Sequence, residues 1–252
     1  PPATSQQGIG NLVHAAAMLA RDASVDRAEL AGYVAARFDA IEMAARWLAQ
    51  RERVRADQML DRLLGWLAGN PRRLAAIEHE FLVRLGEGVE LKGRVDRLEI
   101  DGDGRLVVVD LKTGKSKPTA AEVAEHAQLG AYQAAVEAGA FAELGTVSGG
   151  ASLVQLGAPG KSAEQRQPPL AEAEAPGWAG EMIKRAASTM AASTFTAVAN
   201  STCRTCPVRT ACPVSGKGRQ LGTALPGSGE GGAGGDRGGS GAGADPRGGG
   251  EP

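Results

Sequence analysis

The spacing of apolar positions changes character after Asn70. From Ile9 to Asn70, apolar residues recur every three or four positions in segments rich in Ala, Leu and Arg, as helices with one buried face require. Leu30, Val34, Phe38 and Ile41 make one such stripe. Before it, "DRAEL" (26–30) predicts a capping box with Asp26 at the N-cap and Glu29 three residues on. Met59, Leu60, Leu63, Leu64 and Leu67 make another stripe, which "GNP" (69–71) ends. The period then drops to two. "EFLVRL" (80–85), "VELKGRVDRLEI" (89–100) and "RLVVVDLK" (105–112) read as strands, the last two joined by the polar turn "DGDGR" (101–105). One helix is predicted from Thr119, capped by Glu122, to a C′ glycine at Gly139. A short strand (151–156), a Pro/Gln-rich loop and a helix from Trp178 to Ala192 follow.

Within the strand "LVVVDLK", residues two apart share a face, so Asp110 and Lys112 point with Leu106 and Val108. A hairpin centred on Asp103 sets Asp96 directly opposite Asp110. Opposed side chains lie roughly 4.5–5.5 Å apart at Cβ, where two like charges repel. A divalent ion between the carboxylates removes that repulsion. So does a cluster of ion pairs from Arg94, Arg97 and Lys112. The hairpin alone leaves both readings open.

Composition narrows the class without choosing between them. The 252 residues make one large domain or two small ones, and a formal charge of −1 signals no global affinity for polyanions. No apolar run reaches the ~18 residues of a membrane span. "PPATSQQGIG" lacks the basic and apolar regions of a signal peptide and has no initiator Met, so an N-terminally truncated fragment of a longer polypeptide is expected. Three cysteines confined to ten residues do not make a secreted disulfide framework, and a cytoplasmic setting follows. From Gly222 the chain is mostly Gly, and a disordered tail is expected there.

Taken in order, "GRVDR" (93–97), "VVDLKTGK" (108–115) and "QLGAY" (128–132) resemble the PD-(D/E)XK nuclease superfamily, and within it the RecB-type branch of helicase-associated and CRISPR-associated exonucleases. The resemblance implies an α/β fold with a restriction-endonuclease-like core, a mixed central sheet flanked by helices. It implies Asp96 and Asp110 as metal-binding acids, Lys112 as the catalytic lysine and the Leu111 carbonyl as a further ligand of Mg²⁺ or Mn²⁺. Gln128 and Tyr132 match its Q-x-x-x-Y element, which contacts DNA, and their spacing puts both on one helical face. His14, in "NLVHAAA", matches its helical metal-binding histidine. Glu80 stands where some relatives carry an acid, while His79 and His126 read as ordinary polar positions.

"CRTCPVRTAC" spaces Cys203, Cys206 and Cys212 as C-x2-C-x5-C, a pattern of zinc or iron–sulfur ligation. The resemblance implies a [4Fe–4S] cluster whose fourth cysteine lies upstream of Pro1, with a zinc site completed by histidine as the rival. The expected organisation is then a helical part (1–77), a nuclease core (78–200), a cysteine segment (201–221) and the Gly-rich tail (222–252). The expected activity is metal-dependent DNA exonuclease action on single-stranded ends, in double-strand-break repair and recombination. No Walker A sequence is present, so a helicase motor would lie upstream or in a partner subunit. A stand-alone RecB-like exonuclease and a catalytically decayed DNA-binding scaffold are the alternatives.

Overall fold

The computed structural model describes residues 5–41, 45–86, 88–160, 163–194, 196–212 and 214. These fall into two compact units, Pro1–Phe195 and Thr196–Pro252. The expected Gly-rich tail lies outside the described residues.

The first unit is built on a five-stranded mixed sheet in the order β1 (Arg73–Arg84), β2 (Glu90–Ile100), β3 (Leu106–Lys112), β4 (Ser148–Gln155), β5 (Ala163–Gln167). All neighbours are antiparallel except β3 and β4, which run parallel. That pair needs a crossover, and α4 (Ala120–Ala124) with α5 (Ala127–Glu137) supplies it. On one sheet face, Val107, Val109 and Leu111 pack with α1 (Ser5–Ala17), α2 (Arg27–Phe38) and α3 (Arg46–Gly69). On the other, Leu106, Val108 and Leu153 pack with Leu129, Val136 and Phe141. This is the α/β, restriction-endonuclease-like arrangement of a mixed sheet between helices.

The β2–β3 register runs from Ile100–Leu106 to Arg97–Val109, as a turn centred on Asp103 requires. Thr119 and Glu122 form the expected capping box, and Gly139, at φ 83°, ends α5 with the Ala140 N–H on the Ala135 carbonyl. The last helix, α6 (Trp178–Ala191), presses the Trp178 ring onto Gly130 of α5, where a Cβ would collide with it.

Four expectations are corrected. Strand β1 begins at Arg73 rather than Glu80, because a bulge at Leu74/Ala76 and the Ala-rich start conceal its alternation. The single helix after Thr119 is two, broken at Glu125–His126, where the buried Gln167 amide donates to the carbonyls of Val123, Ala124 and His126. The Pro/Gln-rich loop contains β5, a polar edge strand. Asp26 caps α2 through the Ala28 N–H, without the return bond from Glu29 that a capping box needs.

Candidate active site

The sheet's own register assembles an acidic row. Glu78 falls between the β1–β2 pairs Ile77–Arg97 and His79–Val95, which sets it opposite Asp96. One step beyond the pair Arg97–Val109, Asp96 faces Asp110. There the ladder gives way, and the Leu111 N–H donates to Asp96 Oδ2 at 2.7 Å. Three carboxylates thus stand on three neighbouring strands at one level.

Helix α1 brings His14 to this row, with Nδ1 3.5 Å from Asp96 Oδ2. Two contacts fix the helix there. Gly10, one turn before His14, lies so close to the segment after β3 that a Cβ would come within 2.8 Å of Thr113 Oγ1. Buried Arg97 donates from Nη1 to the Ala20 carbonyl at 2.7 Å and from Nη2 to the Arg21 carbonyl at 2.9 Å. Arg97 therefore ties down the chain leaving α1 and neutralises neither aspartate, contrary to its part in an ion-pair cluster. Among the described residues, His14, Glu78 and Asp96 are the one group whose ligand atoms lie within 4.8 Å of one another.

Asp110, only 4% exposed, sits beside the group. Lys112 Nζ pairs with its Oδ2 at 2.8 Å, yet that oxygen has no directed hydrogen bond. Gln128 ties these charges together. Its Oε1 accepts from Lys112 Nζ at 2.8 Å, and its Nε2 donates to Asp110 Oδ1 at 2.8 Å and to the Tyr132 hydroxyl at 2.9 Å. The Tyr132 hydroxyl in turn donates to the Arg94 carbonyl at 3.1 Å, linking α5 to β2. The break at His126 lets α5 start afresh with Gln128 and Tyr132 turned to this row.

The electrostatics follow from the crowding. Burial raises the Asp110 pKa, and repulsion from Asp96 adds to it against the pull of Lys112 and His14. Burial opposes a charged His14, but its hydrogen bond to Asp96 and the charges of Asp96, Asp110 and Glu78 outweigh this and raise its pKa. Burial also raises the Tyr132 pKa further above its ordinary value near 10, at which the phenol is already a hydrogen-bond donor at neutral pH.

The donor set fits a hard divalent cation: clustered carboxylates, an imidazole, and a buried carboxylate oxygen with an unused lone pair. The expected residues Asp96, Asp110, Lys112, His14, Gln128 and Tyr132 are all brought together. Glu80 is not, being exposed on β1 opposite Arg94. Glu78 takes its place, at φ 48°, a left-handed conformation rare for a non-glycine residue. Sequence reading missed it because the expected strand began at Glu80; its place in "IEHEF", two before Glu80 and so on the same face, was the available signal. His79 packs at a tilt against Phe141 with Nε2 3.6 Å from a Glu143 carboxylate oxygen, and His126 marks the helix break.

In the second unit, the Asn200 side chain caps the 3-10 turn Ser201–Arg204, and its backbone N–H donates to Cys203 Sγ at 3.3 Å. Cys203, Cys206 and Cys212 are not gathered into a metal-ready group among the described residues. No described helix is long and apolar enough to cross a membrane.

No curated protein matches the chain. The solved structure described as "Crystal structure of SSO0001" is similar at 18% identity and a TM-score of 0.39, over 82% of this chain and 85% of that one. The model of the PD-(D/E)XK nuclease superfamily matches residues 1–213, the whole span that carries the acidic row, the lysine and the glutamine, and the chain belongs to that superfamily.

Proposed function

We propose that the chain is a metal-dependent deoxyribonuclease that degrades single-stranded DNA ends as the nuclease module of a helicase–nuclease in double-strand-break repair. The observation carrying this reading is the convergence of His14, Glu78 and Asp96 beside the buried pair Asp110–Lys112. Asp96, Asp110 and His14, with the Leu111 carbonyl, would hold Mg²⁺ or Mn²⁺, and Glu78 adds a third carboxylate. Such an ion supplies Lewis-acid polarisation of the phosphate and activation of water.

The chain's own groups do the rest. Lys112 places a cation where charge builds on the phosphate oxygens as water attacks and one P–O bond breaks. Gln128 holds the Lys112 ammonium on that side by accepting from it, and its bond to Asp110 keeps both ends of the amide occupied. Tyr132 and Gln128 line the approach for the strand. In this reading the cysteine segment carries a [4Fe–4S] cluster in which Cys203, Cys206 and Cys212 are three ligands. Iron and sulfide in anaerobically purified protein support that, whereas bound zinc sinks it.

The test is degradation of single-stranded DNA with Mg²⁺ or Mn²⁺ by wild type, Asp110→Ala and Lys112→Ala. Both variants are expected to lose about 10²-fold or more in rate. DNA binding without cleavage by the wild type would favour a scaffold instead.

A further inference from the structure

Helix α3 aligns Arg51, Arg55 and Arg62 on one face, at spacings of four and seven. With Lys115 and the backbone at Gly157 and Gly160, they line a cavity of about 410 Å³ whose lining contains no acid. Two of the cations are fixed. Arg62 donates to the Gly160 and Leu156 carbonyls, each at 2.7 Å, and Arg55 donates to the Thr113 carbonyl and to Glu52. Glu52 is buried behind the wall and offsets one charge. Arg51 and Lys115 are exposed at the cavity, with no ion pair among the described residues.

This cleft joins the candidate site through one segment. Thr113, which Arg55 grips, follows Lys112 directly, and Lys115 is three residues past it, at most roughly 10–11 Å along the backbone. Beyond it, Lys117 lines a different cavity together with Lys112 itself. Four cations in a chain of net charge −1, next to a phosphate-cleaving centre, call for a polyanion that continues out of that centre.

Resting on the nuclease reading, we propose that the Arg51–Lys115 cleft seats a non-scissile phosphate of the DNA strand being cut. Fixed Arg55 and Arg62 form its floor, and Arg51 and Lys115 close over the phosphate oxygens. The seat sets the strand's register at Lys112.

The experiment measures binding of a labelled single-stranded oligonucleotide to the full chain, with a chelator present, across a salt series. Wild type is compared with Arg51→Ala/Lys115→Ala and with Arg84→Ala, an exposed cation on the β1–β2 hairpin. Each lost phosphate contact lowers the log–log salt slope by about 0.7, and the cleft seats one phosphate, so the double variant is expected to lose about 0.7. Arg84→Ala is expected to keep the wild-type slope. An unchanged slope in the double variant, or an equal loss in Arg84→Ala, overturns the inference. Weakened binding of inorganic phosphate with an unchanged strand slope marks an isolated anion pocket and overturns it too. Cleavage assays on the same proteins separate the two levels. A wild type that neither binds nor cuts DNA sinks the nuclease reading as well, whereas one that cuts, with no slope change in the double variant, sinks the phosphate seat alone.

Discussion

The Asp96 carboxylate accepts the Leu111 backbone N–H across the point where β2 and β3 stop pairing. One acid therefore closes the end of a sheet ladder and stands in the candidate metal group. Asp96→Asn keeps an acceptor for Leu111, and Asp96→Ala does not. The alanine variant is expected to lose about 1–3 kcal/mol, the cost of an unsatisfied buried N–H. At roughly 2–4 °C per kcal/mol for a domain of this size, thermal melting resolves the two. Both variants should lose nuclease activity; equal melting temperatures would refute the double role.

Gln128 touches Asp110, Lys112 and Tyr132 at once, so its loss should outweigh that of Tyr132. Gln128→Ala frees the Lys112 ammonium to swing and is expected to lower turnover about 10–100-fold, the range found when a group orienting a site residue is removed. Tyr132→Phe removes one hydroxyl between Gln128 and the Arg94 carbonyl and should cost only ~1 kcal/mol. Steady-state rates of the two variants side by side check the ranking.

Much of this site was legible in the chain because local rules governed it. The turn "DGDGR" and the strict alternation after it dictated the register that sets Asp96 against Asp110. The i, i+4 spacing of Gln128 and Tyr132 survived because both lie beyond the helix break. Illegible parts were set by distant partners. The break itself is stabilised by Gln167, over forty residues away in sequence from Val123 and Ala124, and nothing near His126 announces it. Strand β5, "AEQRQ", has no apolar alternation because it is an edge that pairs on one side only. Glu78 escaped because the bulge at Leu74/Ala76 and the Ala-rich start hid the first half of β1, so the strand was read only from Glu80.

The raised His14 pKa makes metal affinity depend on pH. Folding favours the protonated ring, so in the metal-free protein the His14–Asp96 pair stabilises fully below the ordinary histidine value of 6.5 and is lost as pH rises through the higher folded value. A metal ligand must be neutral imidazole, so the cation competes with that proton. Affinity for Mn²⁺ is therefore expected to climb as pH rises through the folded His14 value and then level off. In His14→Gln the climb should flatten, leaving only what the carboxylates contribute. Calorimetric titration of Mn²⁺ at several pH values measures this directly, and an equal slope in the variant would remove His14 from the ligand set.

The backbone at Glu78 costs stability that the site then uses. A non-glycine residue at φ 48° is strained by about 1–3 kcal/mol, and asparagine tolerates that conformation better than glutamate. Glu78 is held there by Arg94 Nε at 2.9 Å, and one of its carboxylate oxygens belongs to the group with His14 and Asp96. Glu78→Asn should therefore relieve strain and raise the melting temperature of the metal-free protein, by roughly 2–4 °C for each kcal/mol recovered. It should also weaken binding of the divalent ion, because one carboxylate of the row is gone. Glu78→Gln separates the two effects, since it keeps the strain and loses only the charge. It is expected to bind metal as poorly as the asparagine variant without the thermal gain. If Glu78→Asn instead melts lower and binds the ion like the wild type, the left-handed turn is a packing feature of the bulged strand and Glu78 is no ligand.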